Sequence, residues 1–293
     1  MTPLELSIVR RAYAKHVLAT AGVSDLRLEG AFAEVKREDF LGTGPWQMLR
    51  LTRGYGATPD DDPVYLYMDQ VVGLVPARRI NNGQPSLHAM LIAAARIAEG
   101  EHIVHVGAGT GYYSAIMAQL AGAAGRVTAI ECDPELAARA RECLRTCPTA
   151  TLLQTDGAAT PIDSADVIYV NAGVTHPANV WLDALREGGR LIIPLTADAN
   201  FPTAPAAFDM AKAMRSGVYF LIQRRGETFE VRGLLPTMII PAQGAARDAE
   251  SEAALAAALE KGGWNRVTRL VRGDPAQGAP YWLQGRGWYL SCD

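Results

Sequence analysis

The chain has 293 residues, 49% of them apolar and 20% charged, with a formal net charge of −3. That is ordinary globular composition, enough for one large α/β core with small additions. The weak negative charge excludes the electrostatic footprint of a protein that tracks nucleic acid or an anionic membrane, and leaves a peptide or small-molecule partner as the expectation.

In chain order, the opening MTPLELSIVRRAYAKH alternates charged and apolar residues at helical spacing and lacks the apolar core of a secretory signal, so a cytoplasmic location is expected. A helix is predicted over Leu4 to Ala21 and a second helical stretch over Ser24 to Phe40, stopped by the glycines and proline of LGTGPW. Leu51 to Arg79 reads as loop. Its acidic turn, Asp60, Asp61, Asp62 and Pro63, is solvated, because adjacent side chains diverge and do not converge on one cation. The longest apolar run, near Leu87 to Ala98, is too short to cross a bilayer and reads as a buried helix.

From Gln84 the pattern is regular. Helices are predicted over Pro85 to Ala98, Tyr112 to Leu120, Pro134 to Arg145 and Ala178 to Leu185, and strands over His102 to Val106, Val127 to Ile130, Thr151 to Gln154, Val167 to Val170 and Arg190 to Pro194. Nearly all-apolar strands alternating with helices indicate an α/β fold with a parallel sheet covered on both faces. Val218 to Ile240 reads as a hairpin around Gly226, an antiparallel edge on that sheet. Beyond Pro241 come an alanine-rich helix, stopped by Gly262 and Gly263, and two strands separated by GDPAQGAP. Three segments follow: residues 1–83, helical and loop-rich; 84–241, the α/β domain; and 242–293, a helix and hairpin extension. Cys132, Cys143, Cys147 and Cys292 are read as reduced thiols. Cys143 and Cys147 lie near no histidine, and no metal site is expected.

The chemistry concentrates in HIVHVGAGTGYYSA. An apolar strand delivers Gly107, Ala108, Gly109, Thr110 and Gly111 into a turn that opens onto a helix at Tyr112. Glycines there let a ligand approach bare backbone, and the helix N-terminus presents free N–H groups. Dinucleotide binders space their glycines G-x-G-x-x-G. Tyr112 stands where that pattern has its third glycine, and the G-x-G-x-G spacing suits a ligand without a pyrophosphate. At the end of the next strand Glu131, followed by Cys132, is placed to accept both hydroxyls of a ribose. Asp156-Gly157, after the third strand, can receive the exocyclic amine of adenine, and Asn171, after the fourth, faces the same crevice by topology. Together these predict S-adenosylmethionine as the ligand, bound in a Rossmann-like methyltransferase domain. An NAD-dependent dehydrogenase is disfavoured by Tyr112.

VGAGTGYYSAIMAQL, GRVTAIE, TDG and LREGGRLIIPL resemble, in order and spacing, the protein-L-isoaspartate O-methyltransferases. The likeness extends upstream through VKREDF, YMDQVVGL and INNGQPSLHAML and downstream into FEVRGLLPTMIIPA. It covers about Leu4 to Pro241. The resemblance implies methyl transfer from S-adenosylmethionine to a peptide or protein carboxylate, releasing S-adenosylhomocysteine. The family carries a Thr-Ile-Ser-x-Pro-x-x-His-Ala segment whose serine lies beside the accepting carboxylate. Here that stretch is Asn81-Asn82-Gly83-Gln84-Pro85-Ser86-Leu87-His88-Ala89, with Gly83 in place of the serine. Asn81, Asn82 and Ser86 are the candidate replacement donors. His88 is the candidate for contact with the cofactor carboxylate, or for a base if the acceptor is a hydroxyl or amine. A different acceptor, a biosynthetic peptide or small molecule, and a silent cofactor-binding homologue stay open as alternatives.

Overall fold

The structure is a computed structural model that describes residues 1–50, 53–198, 209, 212 and 214–293. It divides into two compact units, residues 1–103 with 108–154, and residues 104–107 with 155–293.

The first unit begins with helix α1 (Pro3–Ala21). Thr2 and Glu5 cap it reciprocally: Glu5 N–H donates to Thr2 Oγ1 at 3.3 Å, and Thr2 N–H to the Glu5 carboxylate at 2.7 Å. The helical stretch expected over Ser24 to Phe40 is two helices, α2 (Leu26–Glu34) and α3 (Glu38–Leu41). Val35 is extended at the break, and Arg37 just beyond it turns a fully buried guanidinium onto the carbonyls of Leu66, Met68 and Gln70. Two small antiparallel pairs lie within and at the ends of the stretch read as loop, β1 (Gln47–Arg50) with β2 (Gly54–Ala57), and β3 (Gly73–Val75) with β4 (Ile80–Asn81). Strands of two to four residues are too short to display alternation. Then follow α4 (Pro85–Ala95), strand β5 (His102–Val106), α5 (Tyr112–Ala121), β6 (Arg126–Glu131), α6 (Pro134–Cys143) and β7 (Ala150–Gln154). Strands β6 and β7 are parallel, from Val127 opposite Ala150 to Glu131 opposite Gln154. A core of Leu41, Trp46, Met48, Leu66, Val72, Leu74 and Leu136 packs under the small sheets.

The second unit starts with the last residues of β5. It continues with β8 (Ala165–Val170), α7 (Asn179–Ala184), β9 (Leu185–Thr196), β10 (Gly217–Arg225), β11 (Thr228–Pro236), α8 (Ala249–Lys261), β12 (Arg269–Arg272), β13 (Tyr281–Gly285) and β14 (Trp288–Ser291). Strand β9 runs parallel to β8, and every pairing from β9 outward is antiparallel, in the order β9-β10-β11-β12-β14-β13. Two expectations are corrected here. The β10–β11 hairpin is not the edge, because β11 pairs on its far side with β12 through Phe229 opposite Leu270. The run Tyr281 to Leu290 is two strands, because Gly287 turns the chain with φ +73°. The fold is α/β with helices and a large mixed sheet, as expected.

Among the described residues no helix is long and apolar enough to cross a membrane, and no group of three His, Cys, Asp or Glu side chains is placed to hold a metal ion. The four cysteines are free thiols. The acidic turn is engaged locally: Asp62 accepts from Val64 N–H at 3.0 Å and pairs with the N-terminal amine at 3.3 Å.

Candidate active site

In the first unit, the glycine loop leaves β5 and enters α5 with Gly109 and Gly111 at φ +58° and +92°. Ala108 N–H donates to Ile130 O at 3.0 Å, which ties the loop to β6, and a Cβ at Gly111 would lie 2.9 Å from Leu144 Cγ. Thr110 is buried at the turn. Gly109 N–H donates to Glu131 Oε2 at 2.8 Å and Asp133 N–H to Oε1 at 3.0 Å. Glu131 is 6% exposed, and burial pushes its carboxyl above the usual carboxylate range against the opposing pull of these N–H groups. A carboxylate has about four acceptor positions, and the backbone N–H groups of Gly109, Asp133 and Cys132 do not fill them all. Cys132 is exposed. Asp133 caps α6 through Glu135 and Leu136 N–H, both at 3.0 Å, and pairs with Arg78, which holds its carboxyl below the usual range.

The ring of Tyr112 does not wall this loop. It is buried in an aromatic cluster, 6.4 Å from Phe32 and 5.7 Å from Phe40, with the Arg37 guanidinium 6.0 Å away. Only its backbone belongs to the helix N-terminus. Tyr113 stacks on His88 with ring centroids 3.8 Å apart and planes at 19°.

The Asn81 to His88 segment is held from several directions. Asn81 Nδ2 donates to Tyr55 OH at 3.1 Å, and its Oδ1 accepts from Gly83 N–H at 2.9 Å. Asn82 brackets Val72: Val72 N–H donates to Asn82 Oδ1 at 2.9 Å, and Asn82 N–H to Val72 O at 3.0 Å. Asn82 is 6% exposed, and among the described residues its Nδ2 meets no acceptor. The Ser86 hydroxyl and N–H both donate to Asp69 at 2.7 Å, and Gln84 Nε2 reaches the same carboxylate at 3.0 Å. Ser86 therefore anchors the first turn of α4, which is not the replacement-donor role expected of it. His88 is fully buried.

In the second unit, Gly107 packs against the Asn171 backbone, a Cβ there falling 3.3 Å from Asn171 O, and Asn171 N–H donates to Val106 O at 2.8 Å. Asp156 accepts from Ala158 N–H at 2.9 Å and from Ala245 N–H at 2.8 Å, and Gly157 O accepts from the buried Trp181 indole at 2.7 Å. Both histidines of β5, His102 in the first unit and His105 in the second, are buried. His102 Nε2 lies 2.9 Å from Thr128 Oγ1, and burial lowers the His105 pKa to about 3, which keeps that imidazole neutral.

Arg37, Asp69 and Arg78 carry this arrangement and were not singled out from the sequence. Their partners lie 15 to 57 positions away in the chain, beyond the reach of any spacing rule. The blocks VKREDF and YMDQ were the available signal. The residues present fit S-adenosylmethionine: the bare glycine backbone of the loop stands beside a buried carboxylate, to which Gly109 N–H is bonded.

Comparison with known proteins gives the same direction. Residues 16–204 match the family model for protein-L-isoaspartate(D-aspartate) O-methyltransferase. The chain is 31% identical over 161 residues to the protein-L-isoaspartate O-methyltransferase of Ignicoccus hospitalis, covering 54% of this chain and 69% of that one. Its fold is similar to a solved protein-L-isoaspartate O-methyltransferase, with a TM-score of 0.62 and 20% identity over 96% of this chain and 86% of that one. It is also similar to a Plasmodium falciparum structure described as a putative member in complex with S-adenosyl-L-homocysteine. There the TM-score is 0.61 and the identity 15%, over 80% of this chain and 98% of that one.

Proposed function

The chain belongs to the protein-L-isoaspartate(D-aspartate) O-methyltransferase family, and from that premise we propose that it esterifies a carboxylate of a peptide or protein, in the cytoplasm, using S-adenosylmethionine. The observation that carries the reading is that the matched residues 16–204 take in both the glycine loop with Glu131 and the Asn81 to His88 segment.

S-adenosylmethionine supplies the electrophilic methyl group. A carboxylate acceptor is already a nucleophile and the departing thioether needs no proton, so the task left to the chain is alignment, worth several kcal/mol as effective molarity on the order of that found in oriented reactions. Glu131, held by Gly109 and Asp133 N–H, accepts the ribose hydroxyls. Ala108, Thr110, Gly111 and the backbone of Tyr112 line the turn, with Gly107 at its entry. Asp156 accepts the exocyclic amine of adenine, with Gly157 beside it, and Asn171 contacts the methionine part.

On the acceptor side, Asn82 Nδ2 is a buried donor that a carboxylate oxygen would satisfy. His88 stands next to Gly83, the position matching the family serine, and contacts the cofactor carboxylate, while Asn81 is a further donor for the acceptor. Ser86 acts through its bond to Asp69.

The test is transfer of labelled methyl to an isoaspartyl peptide, with release of the label as methanol in mild base marking a methyl ester. Tight binding of cofactor with no ester formed on that peptide would overturn the isoaspartyl reading.

A further inference from the structure

The extension after β11 makes a contact that its place outside the matched residues does not foreshadow. Gly244, Ala245 and Ala246 form a single 3-10 turn, and Ala245 N–H donates to Asp156 Oδ2 across 89 positions of sequence. Gly244 carries φ +81°, and a Cβ on it would lie 3.0 Å from Asp156 Cγ and closer still to Oδ2. Only glycine lets the backbone come this near the carboxylate.

The turn is itself anchored within its unit. Thr175 N–H donates to Ala246 O at 3.0 Å, and Asp248 N–H to Thr175 Oγ1 at 3.2 Å. Arg247 Nη1 reaches Gly173 O at 2.9 Å and Thr196 Oγ1 at 3.2 Å. On the other side the Trp181 indole holds Gly157 O. The Asp156-Gly157 corner is thus gripped from two directions, by α7 and by the extension.

We propose that the Gln243 to Asp248 segment is a positioning element of the adenine subsite: Ala245 N–H, admitted by Gly244, fixes the Asp156 carboxylate so that its remaining lone pairs serve the exocyclic amine. An N–H partner can only donate. It therefore keeps Oδ2 an acceptor and removes the rotational freedom that a free aspartate would lose on binding. Asp156 has about four acceptor positions, and the Ala158 and Ala245 N–H groups fill two of them. This inference rests on the assignment of Asp156 to adenine, and the extension is then part of cofactor recognition.

The experiment is calorimetry on the full chain with two ligands, S-adenosylhomocysteine and its purine analogue in which hydrogen replaces the exocyclic amine. The variants are G244A, A245P and D156A. The parent protein is expected to prefer S-adenosylhomocysteine by roughly 10-fold, the discrimination typical of one hydrogen bond to a charged group. G244A, which crowds the carboxylate, and A245P, which deletes the donor, are each expected to erase most of that preference while leaving affinity for the purine analogue unchanged. A structural role alone would weaken both ligands equally, and that result overturns the proposal. If D156A loses the preference while G244A and A245P keep it, Asp156 reads adenine without help from the extension and the proposal again fails. If D156A keeps the preference, the adenine assignment itself is wrong. A melting transition for each variant within a few degrees of the parent confirms that folded protein is being compared, and two chemically different variants guard against one that does not fold.

Discussion

The His88 imidazole occupies the space into which a side chain on residue 83 would project. A Cβ at Gly83 would lie 2.8 Å from His88 Cδ2 and closer still to Nε2, and Gly83 holds φ +74°. The stack on Tyr113 and the burial of the imidazole leave it no room to swing aside. Glycine at 83 and histidine at 88 are therefore one structural choice, and the serine found at the matching position of the family does not fit this backbone.

G83S is expected to destabilise the protein by about 2 kcal/mol or more, from the left-handed backbone alone about 1 to 2 and from the overlap with His88 the rest. The double variant G83S/H88A recovers part of the loss, because the two sites share one space. Urea unfolding measures both. A G83S protein as stable as its parent would show that the segment re-forms around a serine.

E131Q is expected to weaken S-adenosylhomocysteine binding by roughly 1.5 to 3 kcal/mol, the range for hydrogen bonds to a charged group. The pH dependence carries a sign. Burial holds the Glu131 carboxyl above the ordinary range, so it gains its proton at a higher pH than an exposed glutamate does. Protonation turns one acceptor oxygen into a donor, and cofactor affinity falls as pH drops through that raised value. The unliganded protein responds the opposite way: a carboxyl whose folded pKa exceeds its unfolded one costs stability as pH rises from the unfolded value through the folded one. Both dependences should flatten in E131Q. Binding isotherms and melts taken from the ordinary glutamate range upward in pH check them together.

R37M is expected to cost about 3 kcal/mol or more. It removes a buried cation whose nitrogens donate to the carbonyls of Leu66, Met68 and Gln70, and so takes a donor from each of those groups. R37K should rescue little, because an ammonium does not reproduce the planar fork that meets three carbonyls from one point. Denaturant titration of the two variants tests this; equal stability of R37K and the parent contradicts it.

D69A is expected to lose about 1 kcal/mol through the uncapped first turn of α4. Its functional signature should be on the acceptor side: a raised KM for the methyl acceptor with cofactor affinity unchanged, since Asp69 holds Ser86 and Gln84 at the start of α4. A drop in cofactor affinity instead would place Asp69 in the wrong part of the site.

Much of the first unit was readable without coordinates. The strand His102 to Val106, the start of α5 at Tyr112 and the helix start at Pro134 after the Asp133 cap lie where apolar runs, glycine spacing and capping residues put them. The direction of the Tyr112 ring was not legible there, because an aromatic residue at a helix start has the same spacing whether its ring turns to the ligand or to Phe32 and Phe40. The role of Ser86 was hidden for a similar reason: Asp69, which accepts the hydrogen bond from its hydroxyl, sits 17 residues earlier in a stretch without periodicity.

What the sequence by itself determined is everything whose cause is local: the glycine turn, the carboxylate at the end of β6, and the order of strands and helices that led to the family. Backbone dihedral limits, capping bonds and the alternation of side chains act over a few residues, so they leave a pattern that can be read. Only the tertiary structure decided that His88 fills the space beside Gly83, that Arg37 holds Leu66 to Gln70, that β12 to β14 continue the sheet past its expected edge, and that Ala245 reaches Asp156. Those contacts are made by packing and by unpaired edge groups finding partners far along the chain, and a hydrogen bond spanning 89 residues carries no sequence period by which it could be foreseen.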